Sequence, residues 1–290
     1  MKRNYIGAAP EQAIQCLLCR SATRLSKAHI PPQCAGNRQA AVKRMRPYIQ
    51  DEVMRQSSPK DGGMWLRTIC QDCNNLASKY DPAYGDLARR IDVANRLTGR
   101  VVLPHGGDGT VPAISVAPGR VARSVLHGMV ALAPSMSLMH DDFLASLILD
   151  DDSLRLPEGL RLSVARVNTC ACRISSAYSM MRVVGARQMY DVLAEVCFYP
   201  FLWILHSTRS SHVSLGPHLA DAEGWGDATE WIRYSRSANR ADMRDVLSRL
   251  PMTTHPTERD RDEWVEMLNQ EHSYLLEGAI DPSTLRFTNR

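Results

Sequence analysis

Two cysteine pairs, Cys16-Leu17-Leu18-Cys19 and Cys70-Gln71-Asp72-Cys73, constrain this chain more than any other feature. Each pair has the spacing that clamps one edge of a tetrahedral ion, so together they offer four thiolates to a structural Zn²⁺. Fifty residues separate the pairs, more than in a compact zinc ribbon, so a metal held here staples two distant pieces of chain. The alternative is a set of buried reduced thiols. A thioredoxin-like redox pair fits poorly, because neither pair opens a helix inside a strand-helix-strand pattern. Of the other four cysteines, Cys34 reads as a small buried residue beside His29, and Cys197 reads as core. Cys170 and Cys172 stand at a predicted strand.

Between the pairs lies Leu-Ser-Lys-Ala-His-Ile-Pro-Pro-Gln-Cys-Ala-Gly, residues 25–36, with His29 at its centre. Pro31 and Pro32 lack backbone donors and fix their own φ, so neither a helix nor a central strand continues past this histidine. His105, His127, His140, His206, His212, His218, His255 and His272 carry no such frame and read as structural residues.

The net charge of +4 hides an asymmetry. Residues 1–100 hold 17 Lys+Arg against 8 Asp+Glu, or +9, and the remainder holds 18 against 23, or −5. A basic half beside an acidic half points the first towards phosphate. No run of about 18 apolar residues predicts a membrane span. The first twelve residues lack the apolar core of a secretory signal, so a cytoplasmic protein with reduced thiols is expected.

Periodicity outlines the rest. Residues 42–46, V-K-R-M-R, form a basic patch, and 64–69, M-W-L-R-T-I, read as a strand leading into the second thiol pair. Leu76, Tyr80, Leu87, Ile91 and Ala94 suggest a helix interrupted or restarted at Asp81-Pro82. The Gly/Pro-rich stretch 98–112 marks a domain boundary, dividing the chain into 1–100 and 101–290. Beyond it, Val121, Val125, Met129 and Leu132 share one face of a predicted helix over 118–132, and a second helix is expected over 141–149. Residues 161–167, 172–184 and 192–206 read as strands of an antiparallel sheet, with Pro200 at a bulge or edge. A last helix is expected over 261–277. The aromatic run 198–203, with Trp225, Trp231 and Trp264, reads as core before ligand pocket. The fold class is α+β.

Cys16-x-x-Cys19, His29-Ile30-Pro31-Pro32 and Cys70-x-x-Cys73-Asn74 together resemble the zinc-containing branch of the HNH nucleases, members of the ββα-metal (His-Me finger) superfamily. The resemblance covers about residues 14–95. It implies an N-terminal zinc-stapled ββα-metal module followed by an α+β accessory domain for sensing, specificity or oligomerisation. It further implies that His29 is the general base of phosphodiester hydrolysis and that Asn74 ligates a catalytic Mg²⁺ or another divalent ion. Cys16, Cys19, Cys70 and Cys73 would hold the structural zinc. The implied substrate is DNA, in a setting of phage defence or a mobile element, and cutting both strands with one such centre would take a homodimer. Arg38, Lys43, Arg44 and Arg46 are the candidate contacts to the nucleic-acid backbone.

The match departs from the family at Ala28, where many members carry an acidic or histidine metal ligand. Ser78, Asp72 and Asp81 are possible substitutes. The middle asparagine of the motif is assigned to Asn37 or Asn75. A catalytically inactive zinc module that binds nucleic acid or a protein partner is the alternative function.

Overall fold

The computed structural model describes residues 4–5, 15–38, 41–50, 53–98, 113–133, 136, 141–149, 152, 154–182, 188–208, 224–234, 239–253, 274–281 and 283–288. In chain order the first elements are β1 (Asn4–Tyr5), β2 (Leu25–His29), β3 (Val42–Met45), β4 (Pro47–Gln50), β5 (Val53–Gln56), β6 (Lys60–Asp61), β7 (Trp65–Cys70), α1 (Gln71–Ser78) and α2 (Asp81–Thr98). There follow β8 (Ser115–Val116), α3 (Pro118–Leu132), α4 (Asp141–Leu149), β9 (Leu160–Val167), β10 (Ala171–Arg182), β11 (Gln188–Phe198) and β12 (Phe201–Ser207). The chain closes with β13 (Gly226–Asp227), β14 (Ala241–Asp242), α5 (Arg244–Ser248), β15 (Met252–Thr253) and β16 (Tyr274–Ile280).

The architecture is α+β with mainly antiparallel pairing. A sheet of nine strands runs β13-β9-β12-β11-β10-β16-β3-β6, with β15 alongside β9. Its centre is the long β10–β11 ladder, Arg173↔Cys197 to Arg182↔Gln188. One face of that centre carries Cys172, Ile174, Val196, Trp203 and Leu276, all in the main apolar cluster. Helix α3 packs on it and also touches β2, β7, α1 and α2. This central position explains why α3 is buried nearly all round, beyond the single apolar face that its sequence shows. Even Arg123 is 1% exposed. Its Nη1 donates to the carbonyls of Gly119, Ile232 and Tyr234 at 3.0, 3.4 and 3.2 Å, which supplies in protein the hydrogen bonds it loses from water.

Apart from this sheet, β2 and β7 form a two-stranded antiparallel ribbon, Leu25↔Cys70 to His29↔Trp65, with a bulge between Ser26 and Ala28. The chain passes from β7 straight into α1, giving a strand-strand-helix unit.

The helix restart at Asp81-Pro82 is found as α1 and α2. The predicted strand 192–206 is a hairpin instead: Phe198 pairs with Phe201, and Tyr199-Pro200 form its loop. The predicted last helix is also corrected. Residues 261–273 lie outside those described, and 274–280 form a strand between β10 and β3. At its centre a Cβ on Gly278 would lie 2.8 Å from Cys172 Sγ and 2.9 Å from the Lys43 carbonyl. Only glycine lets both neighbouring strands approach so closely, so non-local pairing overrides the local helical pattern. Through β16 and β3 the sheet, like the main apolar cluster, runs across residue 100, where the sequence suggests a boundary. All of 98–112 except Thr98 lies outside the described residues, and no described helix is long and apolar enough to cross a membrane.

Candidate functional site

The strand-strand-helix unit gathers the two thiol pairs. Cys16 and Cys19 sit in a turn ahead of β2, closed by Arg20 N–H donating to the Cys16 carbonyl at 2.8 Å. Cys70 ends β7 and caps α1, its sulfur accepting from Cys73 N–H at 3.5 Å. Cys70 N–H in turn donates to Cys16 Sγ at 3.2 Å. All four sulfurs lie within 4.8 Å of one another, and Cys19 Sγ is 3.7 Å from Cys70 Sγ. Zn–S bonds of about 2.3 Å in a tetrahedron set sulfurs about 3.8 Å apart, so the cluster has the dimensions of a tetrathiolate zinc site. Crowding separates the acidities of these thiols. The hydrogen bond from Cys73 lowers Cys16 to about 4, and the same interaction, with burial, raises Cys73. Four thiolates together need a cation, and the donor set fits zinc.

His29, Asn74 and Ser78 line one cleft of about 500 Å³. His29 ends β2, half-buried, with its Nε2 3.0 Å from the Gln33 amide nitrogen. An amide nitrogen only donates, so Nε2 is the acceptor and the ring proton belongs on Nδ1. Burial, then Lys27, lowers His29 to about 4, against a hydrogen bond that the ring donates to the Gly62 backbone, which raises it. The imidazole is therefore neutral at pH 7. Asn74 Nδ2 donates to the Lys27 carbonyl at 3.2 Å, leaving Oδ1 as its available acceptor. Ser78 Oγ donates to the Asn75 carbonyl at 2.6 Å.

Asp81 is the one carboxylate among the described residues that line the cleft, whereas exposed Asp72 is not among them. Ser124 Oγ donates to Asp81 Oδ1 at 2.8 Å, and burial raises this carboxyl to about 6. The protein thus offers a hard cation few oxygens, Asn74 Oδ1 and the Asp81 carboxylate. A hard cation such as Mg²⁺ prefers more oxygen ligands than these. Ala28 is buried and adds none.

Of the two candidate middle asparagines, Asn75 is exposed and its Oδ1 accepts from Gln71. Asn37 is fully buried. Its Nδ2 donates to the Pro31 and Met64 carbonyls at 2.6 and 2.8 Å, and its Oδ1 accepts from Met64 N–H at 2.7 Å. It thereby ties the turn after His29 to the start of β7. Gly63, with φ +70°, passes so close that a Cβ would lie 2.7 Å from Asn37 Oδ1.

The expected basic patch is not one surface. Arg38 is engaged within the fold, donating to Thr288 Oγ1 at 2.7 Å and to the Gln33 carbonyl at 3.4 Å. Lys43 and Arg44 are consecutive on β3, so they face opposite sides, and Arg46 lies just past its end. Arg44 stacks 4.1 Å over the Trp65 ring, which also carries Lys27 at 4.5 Å and Arg67 at 5.8 Å. Lys27 and Arg67, with Arg24, line a second groove, and Lys27 borders both it and the cleft. The sequence reading missed these cations, although residues 65 and 67 alternate with buried Leu66 and Thr68 on β7. It also missed Gln33, four residues after His29, and the inner lining of the cleft. There His127, read from sequence as structural, is buried, and neither ring nitrogen meets a hydrogen-bond partner among the described residues. His206 does fit that reading, with Ser163 Oγ 3.1 Å from Nε2. His105, His140, His212, His218, His255, His272 and Trp264 lie outside the described residues. No protein-family model, curated protein or solved structure matches the chain.

Proposed function

We propose that this protein is a metal-dependent HNH-type endonuclease that hydrolyses phosphodiester bonds of DNA. One observation carries the reading. A neutral imidazole and a side-chain amide, brought by different elements of a thiol-clamped strand-strand-helix unit, border one cleft beside Lys27. His29 acts as general base through Nε2 and takes a proton from the attacking water as its oxygen bonds to phosphorus. The P–O ester bond to the leaving group breaks, and that oxygen is protonated. In the free protein the Gln33 amide occupies Nε2, so Gln33 yields to the water as substrate arrives. A divalent ion held by Asn74 and phosphate oxygens would neutralise charge developing at the phosphate. Lys27, Arg44 and Arg67, gathered around Trp65, would carry the strand by charge and stacking.

The test incubates supercoiled plasmid with the zinc-loaded protein in Mg²⁺, Mn²⁺ or Ni²⁺, beside His29→Ala. Nicking by the parent and none by the variant is expected. Nicking that survives the substitution removes His29 from the mechanism. The scarcity of oxygen ligands beside Ala28 favours the second reading, an inactive zinc module that binds nucleic acid, and DNA binding without nicking in any metal would support it.

A further inference from the structure

Past His29 the cleft continues into an inner chamber that the hydrolytic reaction does not use. Helix α2 contributes Asp81 and Tyr84 to it, α3 contributes Ser124 and His127, and the sheet contributes Val196 and Trp203. The walls are aromatic and apolar. Tyr84 and Trp203 lie 6.3 Å apart, their planes at 48°. Against them stands His127, 2% exposed and stacked on Tyr80 at 6.2 Å. Burial, with Arg123 nearby, lowers its pKa to about 4, so it is neutral, with one donor and one acceptor. Neither ring nitrogen has a partner among the described residues. Leaving a buried polar atom unpaired costs about 1–3 kcal/mol, so a guest that bonds to one of them is favoured. Asp81 adds a further acceptor, for Oδ2 has no hydrogen-bond partner among the described residues while Ser124 holds Oδ1.

Apolar aromatic walls around a few convergent polar groups, at the inner end of a cleft of about 500 Å³ in all, are the profile of a small-ligand site. The chemistry narrows the guest. Asp81 is the one acidic group, and Lys27 the one cation, among the described residues lining the cleft, and Lys27 belongs to the mouth that it shares with the outer groove. A phosphate is therefore favoured at the mouth and opposed inside. A flat heterocycle with donors and acceptors on its edge suits the interior. We propose that the chamber receives one unstacked nucleobase of the strand whose phosphate lies beside His29. This deepens the nuclease reading and rests on it for the placement of that phosphate. A base inside a duplex stack does not reach such a chamber, so the preferred substrate is single-stranded or locally unpaired DNA, where extrusion costs least.

The experiment measures binding by calorimetry in magnesium-free buffer, using the zinc-loaded full chain. The probes are the four deoxynucleoside 5′-monophosphates and, as a control with no base, deoxyribose 5-phosphate. At least one nucleotide is expected to bind about tenfold or more tighter than the control, the equivalent of one good buried hydrogen bond. His127→Phe, which keeps the ring on Tyr80, is expected to lose about that factor while its affinity for the control stays unchanged. Should His127→Phe fail to fold, Asp81→Asn serves instead, with a changed order of preference among the four bases expected. Equal affinity of nucleotides and control overturns the proposal, as does a folded His127→Phe with parental affinity. Base-dependent binding without nicking would reject the nuclease and leave the base site standing. Nicking without base-dependent binding would do the reverse.

Discussion

Replacing Asn37 by alanine tests whether this side chain holds the candidate base in place. The substitution removes three hydrogen bonds, two donated to the Pro31 and Met64 carbonyls and one accepted from Met64 N–H. The Met64 carbonyl keeps a second partner, Ile30 N–H at 2.9 Å, so two buried groups lose theirs: the Pro31 carbonyl and Met64 N–H. An orphaned buried group costs about 1–3 kcal/mol, which gives a loss of about 2–6 kcal/mol. The lower half of that range is favoured, because an unpaired carbonyl is better tolerated than an unpaired N–H. Urea unfolding of the zinc-loaded protein, followed by circular dichroism, measures it as a fall in midpoint at unchanged slope. Asn75→Ala, at an exposed position, is the matched control, with a change within about 0.5 kcal/mol expected. A loss below about 1 kcal/mol for Asn37→Ala at unchanged slope would refute the argument that this amide carries the turn after His29.

The thiol cluster predicts one zinc per chain by elemental analysis. Cys73→Ser should abolish binding and lower the melting temperature, whereas Cys170→Ser, at an exposed thiol outside the cluster, should do neither. His127 has a pKa near 4 in the folded chain against 6.5 unfolded, so the unfolded state takes up the proton first as pH falls. Its neutral burial therefore costs stability progressively from pH 6.5 to 4, about 3 kcal/mol in all. Asp81, raised to about 6, acts oppositely over nearly the same window, so the His127 share is read as a difference. His127→Phe should gain about 3 kcal/mol on the parent between pH 7 and pH 4 in denaturant titrations, and a pH-independent difference would disprove the assignment. Lys27→Gln with Arg67→Gln should flatten the plot of log affinity for DNA against log salt by about 0.9 for each phosphate no longer neutralised. Lys43→Gln, on the other face of β3, should leave the slope unchanged.

Local patterns made part of this molecule legible. Both helices of the first half, the restart at Asp81-Pro82, α3, α4 and the strands β7, β9 and β10 follow from residue periods and proline positions within a dozen residues of each other. The two halves of the four-thiol cluster were legible too, because C-x-x-C spacing depends only on neighbours. The failures share a different cause. Residues 274–280 form a strand because β10 and β3 close on Gly278 from either side, a fact about chain segments more than 100 residues away. The basic run 42–46 looked like one patch because sequence counts charges without the alternation that splits them, and Arg38 is claimed by Thr288, 250 residues on.

The same division runs through the site. Sequence by itself determined which thiols are spaced for a metal and that prolines stop the chain just after His29. It nominated His29 and Asn74, and tertiary structure brought them to one cleft. Only the packing of α3 against α2 and the sheet decided that His127, silent in sequence, is a buried imidazole facing that cleft, and that Asn37 rather than Asn75 ties its turn. Spacing and periodicity are properties of covalent neighbours, whereas desolvation and hydrogen-bond satisfaction are set by what distant segments place against a side chain.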